Sequence, residues 1–338
     1  MIHGILGGTR IMNQPSFPQL MARLGPLRLT LGHLSWSDLN DEARRALSIH
    51  DFRNIKFEWS AFPSIVDLGD LLSGSAELET LILGRLEIED ASIPLHPRHQ
   101  RGPSVERLRL HALNAESSIF TTIVDSRVSP VSFDKLRALD VTISNAEELI
   151  ALQNVLKTSN TLETLTVSHI HYNSHSRPLP RPRLNLKNLL HLNLELHDFH
   201  NHMYPIVHTD LFEWWCTVWT KAKVISMKEL SIKTSFKSDW NEDYDVTVWA
   251  KIAVALSRPV WVLLPKLFIT IDASNQEIGQ ELYRYKDAVQ RAMDGSSVDV
   301  WIEVDYPQDY YEPDEAMYPG SEEEQEEEDV GYSDLDDW

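Results

Sequence analysis

Histidines are concentrated in two segments of the chain, and imidazole is a common ligand of zinc and copper. Three of them follow one predicted strand and three follow the next, so the two groups would lie side by side: His169, His171, His175, His197, His200 and His202. Only one carboxylate, Asp198, lies near them, whereas zinc sites usually combine histidines with further ligands at a regular spacing. We therefore predict polar loop residues with no bound metal or cofactor. The alternative is a metal-binding protein or enzyme that uses these loops, with candidate ligands His169, His171, His197 and His200.

The other residues that could carry chemistry favour structural roles. Cys216 is the only cysteine, which excludes a disulfide within the chain and a site built from several thiolates. The neighbouring carboxylate of Glu213 would raise its pKa, so a reactive thiol is not expected. Trp214, Trp215 and Trp219 follow helical spacing, which predicts a packing face rather than a pocket for an aromatic ligand. The sequence has no nucleotide-binding, serine-hydrolase or zinc-protease motif, and we predict that the protein is not an enzyme.

Charge is distributed unevenly along the 338 residues, whose net charge is −20. Residues 303–338 contain 16 Asp and Glu and no Lys or Arg, which leaves 35 acidic and 31 basic residues in 1–302. An acidic run without apolar residues repels itself, so we predict a disordered tail. The nearly neutral remainder has no concentrated basic face, so nucleic acid is not an expected partner. No apolar run reaches the ~20 residues that cross a bilayer. The prediction is an intracellular monomer, in cytoplasm or nucleus, with no membrane partner.

A leucine-rich pattern, L-x-x-L-x-L, recurs along most of the chain, with clear copies beginning at Leu78, Val105 and Leu162. The middle positions of successive copies are 26 to 38 residues apart, and most of these intervals are close to those of leucine-rich repeats. The core of each copy predicts a short strand with its leucines facing inward. Neighbouring strands must stack, because a single unit cannot cover its own apolar face. The middle positions are Leu27, Ile55, Leu81, Leu108, Leu139, Leu165, Leu192, Leu230 and Leu267.

These repeats predict an α/β fold: a leucine-rich-repeat-like solenoid of about nine irregular strand–helix rungs, with a parallel sheet on the concave face. Helices fill the segments between strands, and Asn145 and Glu148 have the types and spacing of a capping box. A second capping box is predicted at Ser274–Glu277, and an alternating strand over 298–304 would close the sheet. The predicted domains are a poorly ordered N-terminal segment or cap at 1–23, the solenoid at 24–304 and the disordered acidic tail at 305–338.

The outward residues of the strands would line the concave face, which is the expected binding surface of a solenoid. The candidates for contact with a protein partner are Arg28, Lys56, Arg107, Arg109, Asp140, Thr166, Asn193, Ser231 and Phe268. The four basic residues among them come early in the chain, against one nearby acid, Glu58. Two interpretations stay open: the face is merely solvated, or it binds an acidic ligand, including the chain's own tail.

The early part of the repeat region resembles the leucine-rich-repeat region of fungal F-box-like proteins. The residues that carry the resemblance are Leu27-Arg-Leu-Thr-Leu31, Trp36-Ser-Asp-Leu39, Glu42-Ala-Arg-Arg-Ala-Leu47, Phe62-Pro-Ser and Leu78-Glu-Thr-Leu81. Later Leu-Glu-Thr-Leu and Leu-Leu-His-Leu copies extend it over residues 24–304. The resemblance implies a protein–protein interaction module, namely the target-binding region of a substrate receptor in a cullin-type ubiquitin ligase.

Two features depart from that family. Met1–Gly25 has neither the leucine-proline start nor the helical module of an F-box, so a ligase adaptor is an expected partner only if an F-box is present elsewhere. The asparagine ladder of regular repeats is also absent, which predicts uneven curvature because the turn backbone lacks its usual side-chain partners. The alternative is a stand-alone scaffold or orphan repeat protein whose acidic tail binds basic partners or its own concave face. The target itself is not identified by the sequence.

Overall fold

A parallel β-sheet dominates the computed structural model, which describes residues 2–4, 8–25, 27–90, 102–111, 119–125, 129–169, 179–196, 208–236, 242–273 and 280–306. Within these ranges the sheet has eleven strands in chain order, and each neighbouring pair is parallel. The strands are β1 (Ile2–Gly4), β2 (Leu27–Gly32), β3 (Phe52–Ser64), β4 (Thr80–Asp90), β5 (Arg107–His111), β6 (Ala138–Ile143), β7 (Thr164–His169), β8 (His191–Leu196), β9 (Glu229–Ser235), β10 (Lys266–Asp272) and β11 (Val300–Asp305).

Helices alternate with the strands, which makes the protein α/β as predicted. The described α-helices are α1 (Gly8–Met12), α2 (Phe17–Arg23), α3 (Asp41–Ser48), α4 (Ile65–Leu72), α5 (Ile119–Val124), α6 (Ala146–Thr158), α7 (His208–Lys221), α8 (Glu242–Leu256) and α9 (Gln280–Met293). Neighbouring helices contact each other, for example α7 with α8 and α8 with α9. No described helix has the length and apolar character required to span a bilayer.

Two rows of apolar side chains cross the covered face of the sheet. One row passes through Leu108 and Leu165, and the second lies two residues later on each strand, because side chains of a strand alternate between its faces. The first row consists of Leu29, Ile55, Leu81, Leu108, Leu139, Leu165, Leu192, Leu230, Leu267 and Val300. Eight of the nine predicted middle positions therefore lie side by side, and those eight side chains are buried.

The ninth predicted position, Leu27, was wrong by two residues. The register aligns Leu27 with Phe52 and places Leu29 beside Ile55, after an irregularity between Leu27 and Arg28. The segment Leu27-Arg-Leu-Thr-Leu31 alternates over its whole length, so the apolar pattern fits two registers that differ by two residues. The sequence alone gave no reason to prefer the later one.

Helix α6 begins as the capping pattern predicts. The side chain of Asn145 accepts a hydrogen bond from the backbone N–H of Glu148 at 2.9 Å. The carboxylate of Glu148 accepts from the backbone N–H of Ser144 at 2.6 Å and from its hydroxyl at 3.0 Å, although Glu148 is only 1% exposed. The Asn145 bond satisfies a backbone donor of the first helical turn, which has no partner within the helix, whereas the Glu148 carboxylate reaches Ser144, one residue before the N-cap. The capping box predicted at Ser274–Glu277 lies outside the described residues.

The structure describes residues 2–4 and 8–23 of the predicted N-terminal segment or cap. It contains β1, α1 and α2, and the side chains of Met12, Phe17 and Met21 are buried. Helix α2 contacts α3, and Asn13 donates from its side chain to the backbone carbonyl of Asp38 at 2.8 Å. Phe17 and Met21 have the i, i+4 spacing of a helix face, but the helix is too short for that signal to stand out. The predicted tail lies outside the described residues from 307 onward.

Candidate binding surface

The face of the sheet that no described helix covers, termed the open face, carries all nine residues that the sequence singled out, and each is exposed or half-buried. Seven of them form one row across the strands: Lys56, Arg109, Asp140, Thr166, Asn193, Ser231 and Phe268. Arg28 and Arg107 lie in an adjacent row, closer to the amino ends of the strands, together with Asn54 and Thr80. The structure therefore brings the candidates onto one face, but not into a single cluster.

Cross-strand contacts connect neighbours in the middle of this face. Arg109 Nε lies 2.6 Å from Asp140 Oδ2, and His111 Nε2 lies 3.6 Å from the same oxygen. Two strands further on, Asn193 Nδ2 donates to Thr166 Oγ1 at 3.2 Å. Exposed ion pairs contribute about 0–1 kcal/mol, so these contacts determine the charge pattern of the face more than its stability.

The predicted basic patch is smaller than the sequence indicated. Lys56 Nζ lies 2.7 Å from Glu58 Oε1, and Arg109 is paired with Asp140. In the described part of the chain, Arg28 and Arg107 are the two predicted basic residues without such an ion pair. Half of the positive charge is therefore balanced locally, which weakens the case for an acidic ligand at these residues.

A column of three stacked side chains lies beside this patch and was missed by the sequence interpretation. His33, Trp59 and Arg85 each adopt a left-handed backbone, with φ of 54°, 52° and 53°. The rings of His33 and Trp59 stack with centroids 5.9 Å apart, and Arg85 Cζ lies 3.6 Å from the Trp59 centroid. The residues that precede the three pair with one another across β2, β3 and β4. That equal offset within aligned repeats is the signal that could have revealed the column.

A second aromatic cluster lies at the end of the sheet. Phe268 on β10 pairs with Trp301 on β11, and Lys266 Nζ lies 4.8 Å from the Trp301 ring centroid. Trp301 is 53% exposed, and its indole N–H donates to Asp299 Oδ2 at 3.1 Å. Tryptophan is enriched among the residues that dominate protein interfaces, so this end also offers a contact surface. Phe268 was a predicted candidate, but Trp301 was not.

Lys233 connects the last three strands. Its Nζ lies 3.5 Å from an oxygen of Asp272 and 3.0 Å from an oxygen of Asp305. Burial alone would lower the pKa of Lys233, but the hydrogen bonds to these two carboxylates and their charges outweigh it, so its pKa is raised above the usual value of 10.5. The charged amine therefore ties β11 to β9 and β10.

The histidine segments do not form a metal site in the part of the chain that the structure describes. His169 is the last residue of β7, is 1% exposed and lies in the core, where its Nε2 accepts a hydrogen bond from the Trp215 indole at 3.1 Å. That nitrogen is therefore occupied, and His169 is a buried strand residue rather than the loop residue that the sequence predicted. His171, His197 and His200 lie outside the described residues. Among those that are described, no group of three or more His, Cys, Asp or Glu could hold a metal ion.

Helix α7 contributes the other residues considered for chemistry to the core. Trp214, Trp215 and Trp219 are all buried, which confirms the predicted packing face. Cys216 lies beside them, and burial together with the charge of Glu213 raises its pKa to about 12. The thiol is therefore protonated at neutral pH, in agreement with the prediction that it is not a reactive nucleophile.

The open face extends over most of the sheet and combines hydroxyl, amide, charged and aromatic groups. An extended surface of this kind fits a macromolecule better than a small molecule, which binds in concave pockets. Known proteins add nothing to this interpretation: the chain matches no family model, no curated protein and no solved structure.

Proposed function

We propose that the chain is a protein–protein interaction module, an irregular leucine-rich-repeat-like solenoid whose uncovered sheet face binds a protein target. The observation that carries this proposal is the row of outward side chains from Lys56 to Phe268. On each strand the outward residue lies between the residues of the two buried apolar rows and points to the opposite face. Strands fixed by a packed core present these side chains in place. A preformed surface binds more tightly because little ordering is needed on association.

The order of the strands supports the solenoid part of the proposal. From β2 to β11, each strand pairs with the one before it in the chain, and several described helices contact the next helix along the chain: α2 with α3, α3 with α4, α5 with α6, α7 with α8 and α8 with α9. Repeat proteins have this property because each unit contacts only the adjacent units. The intervals of 26 to 38 residues between middle positions would make such a solenoid irregular.

The class of partner follows from the resemblance to fungal F-box-like proteins. In a protein of that kind the sheet face holds the target that is to be modified, and an F-box binds the adaptor of the ubiquitin ligase. We therefore propose that this chain is the target-binding region of such a receptor and acts inside the cell. The contact with the adaptor depends on an F-box elsewhere.

A bulky charge in the middle of the open face tests the proposal. Thr166 is half-buried at the centre of the outward row, and Thr166→Arg should obstruct a bound target while leaving the apolar rows unchanged. Ile150→Arg is the matched control, because Ile150 is 48% exposed on α6, within the helical layer. Both variants and the wild type would be purified from cells with their partners, which quantitative mass spectrometry then compares.

We expect the wild type and Ile150→Arg to recover a common set of partner proteins. Thr166→Arg should recover that set in amounts reduced about tenfold or more. Adaptor and cullin subunits within the retained set would support the ligase assignment. Equal recovery of partners by all three proteins would exclude the open face as the binding surface. Circular dichroism spectra of the variants establish that any loss does not come from misfolding.

A further inference from the structure

The free edge of β11 is a surface distinct from the open face. One side of β11 pairs with β10, and no other strand in the described part of the chain pairs with its far side. The carbonyls of Asp299 and Asp305 accept backbone hydrogen bonds of 2.9 Å from the β10 segment. Backbone groups of successive residues point to opposite sides of a strand, so the N–H and C=O groups of Ile302 and Val304 point away from β10. Such groups are a template for another strand.

The apolar rows are incompletely covered at this edge. Val300, Ile302 and Val304 continue them but are only half-buried, whereas Leu267 and Ile269 on β10 are 0% exposed. A groove of about 390 Å³ runs along β10 and β11 beside these side chains. A further strand would extend the sheet and cover the exposed part of both rows, as each earlier strand does for its neighbour.

Charge selects among the chains that could occupy the edge. Glu303 is exposed and has no ion pair among the described residues, and residues 307–338 add 14 Asp and Glu with no Lys or Arg. The chain's own tail would therefore be repelled. A second copy, paired antiparallel about Ile302, would place Asp299 of one copy opposite Asp305 of the other, and like charges at opposed positions are unfavourable. The exposed Glu303 and the acidic residues that follow it therefore favour a basic segment.

We propose that the β11 edge binds an extended, basic protein segment by strand addition. Main-chain hydrogen bonds to Ile302 and Val304 supply affinity, and a Lys or Arg side chain opposite Glu303 supplies selectivity, with its aliphatic stem against Trp301. The acidic residues that follow β11 attract basic segments and accelerate their association. This inference goes beyond the proposed function because it uses the edge of the sheet rather than its face.

Short synthetic peptides test strand addition on the full-length chain. The parent probe is an acetylated and amidated six-residue peptide that alternates Lys and Val, and the control replaces each Lys by Glu. Two further probes carry N-methyl groups on all Lys amides or on all Val amides. A strand offers only alternate N–H groups to its neighbour, so one N-methylated probe should lose binding and the other should bind like the parent. Loss on the Lys amides indicates a parallel strand, and loss on the Val amides an antiparallel one.

Two variants of the protein complete the experiment, with affinities measured by fluorescence anisotropy. Glu303→Lys should weaken the parent probe by about tenfold or more, whereas Thr166→Arg on the open face should leave its affinity unchanged, so that this inference and the proposed function can fail independently. Strand addition is overturned if the parent probe shows no binding up to ~1 mM. It is also overturned if the Glu–Val probe binds equally well, if both N-methylated probes behave alike or if Glu303→Lys has no effect.

Discussion

The two ends of the sheet carry the same kind of apolar row but are covered differently. At the start, β1 pairs with β2, α2 packs on α3, and Met12, Phe17 and Met21 are buried. At the other end, Ile302 is half-buried and Trp301 is 53% exposed. Leu29 and Leu31 on β2 are buried near the first end, so the two ends differ in how far the described residues cover the apolar row. Both β1 and β11 have one side that pairs with no described strand, but at β11 the apolar row beside that side is also only half-buried, and we propose that this end pairs with another strand.

The largest expected effect compares one apolar residue from each end. Met21 is 1% exposed, so Met21→Ala should create a cavity and cost about 2–5 kcal/mol of unfolding free energy. Val300 is half-buried, so Val300→Ala should cost about 1 kcal/mol. Hydrogen exchange of the first and last strands measures the two losses of stability, because it reports the opening free energy of each strand separately. Equal losses at the two ends would contradict the comparison.

The middle of the sheet supplies a reference between the two ends. Glu148→Ala leaves the backbone N–H of Ser144 without its acceptor in a buried position, and we expect a loss of about 1–3 kcal/mol. Glu148→Gln is the control, since its amide oxygen can still accept that bond, and it should cost less. Urea unfolding of both variants gives the two free energies. Equal losses would mean that the bond to Ser144 is not the source of the stabilisation.

Lys233 makes the open end sensitive to pH. Its pKa is raised on folding, so its contribution is fully present below the unfolded value near 10.5 and is lost as pH rises through the higher folded value. We expect Lys233→Met to remove about 1 kcal/mol at neutral pH and to eliminate this alkaline decline. Thermal unfolding followed by fluorescence between pH 8 and 12 measures both. A variant with the same alkaline decline as the wild type would assign it to other groups.

Much of the fold could be predicted from the sequence because the leucine pattern is periodic. Strands centred on Leu81, Leu108 and Leu165 follow from alternation and from the need of each unit for a neighbour. The capping pair at Asn145 and Glu148 is equally local, and the structure confirms it. The order at the N-terminus could not be predicted in this way, since α1 and α2 are short and are stabilised by contacts with distant residues.

The candidate binding surface could be predicted only in outline. Strand alternation identified the outward residues, including Thr166, but it gave no information on which charges pair across strands, as Arg109 and Asp140 do. His169 shows the same limit: its position near a predicted loop suggested a ligand, whereas it is the last residue of a strand and faces the core. Residue type and spacing determine which face a side chain occupies. Which side chains pair with each other depends on the register between neighbouring strands, and the sequence of one strand does not specify that register.

The smallest expected effect concerns the stacked column at the covered end, where all three positive φ values among the described non-glycine residues occur. Arg85→Ala removes the guanidinium from the Trp59 ring but retains the left-handed backbone, so we expect a loss of about 0.5–1 kcal/mol. Arg85→Gly removes the same contact and also relieves a backbone cost of roughly 1–2 kcal/mol. The glycine variant should therefore be more stable than the alanine variant in urea unfolding, although it has fewer contacts. If the two variants are equally stable, the left-handed conformation at Arg85 carries no backbone strain.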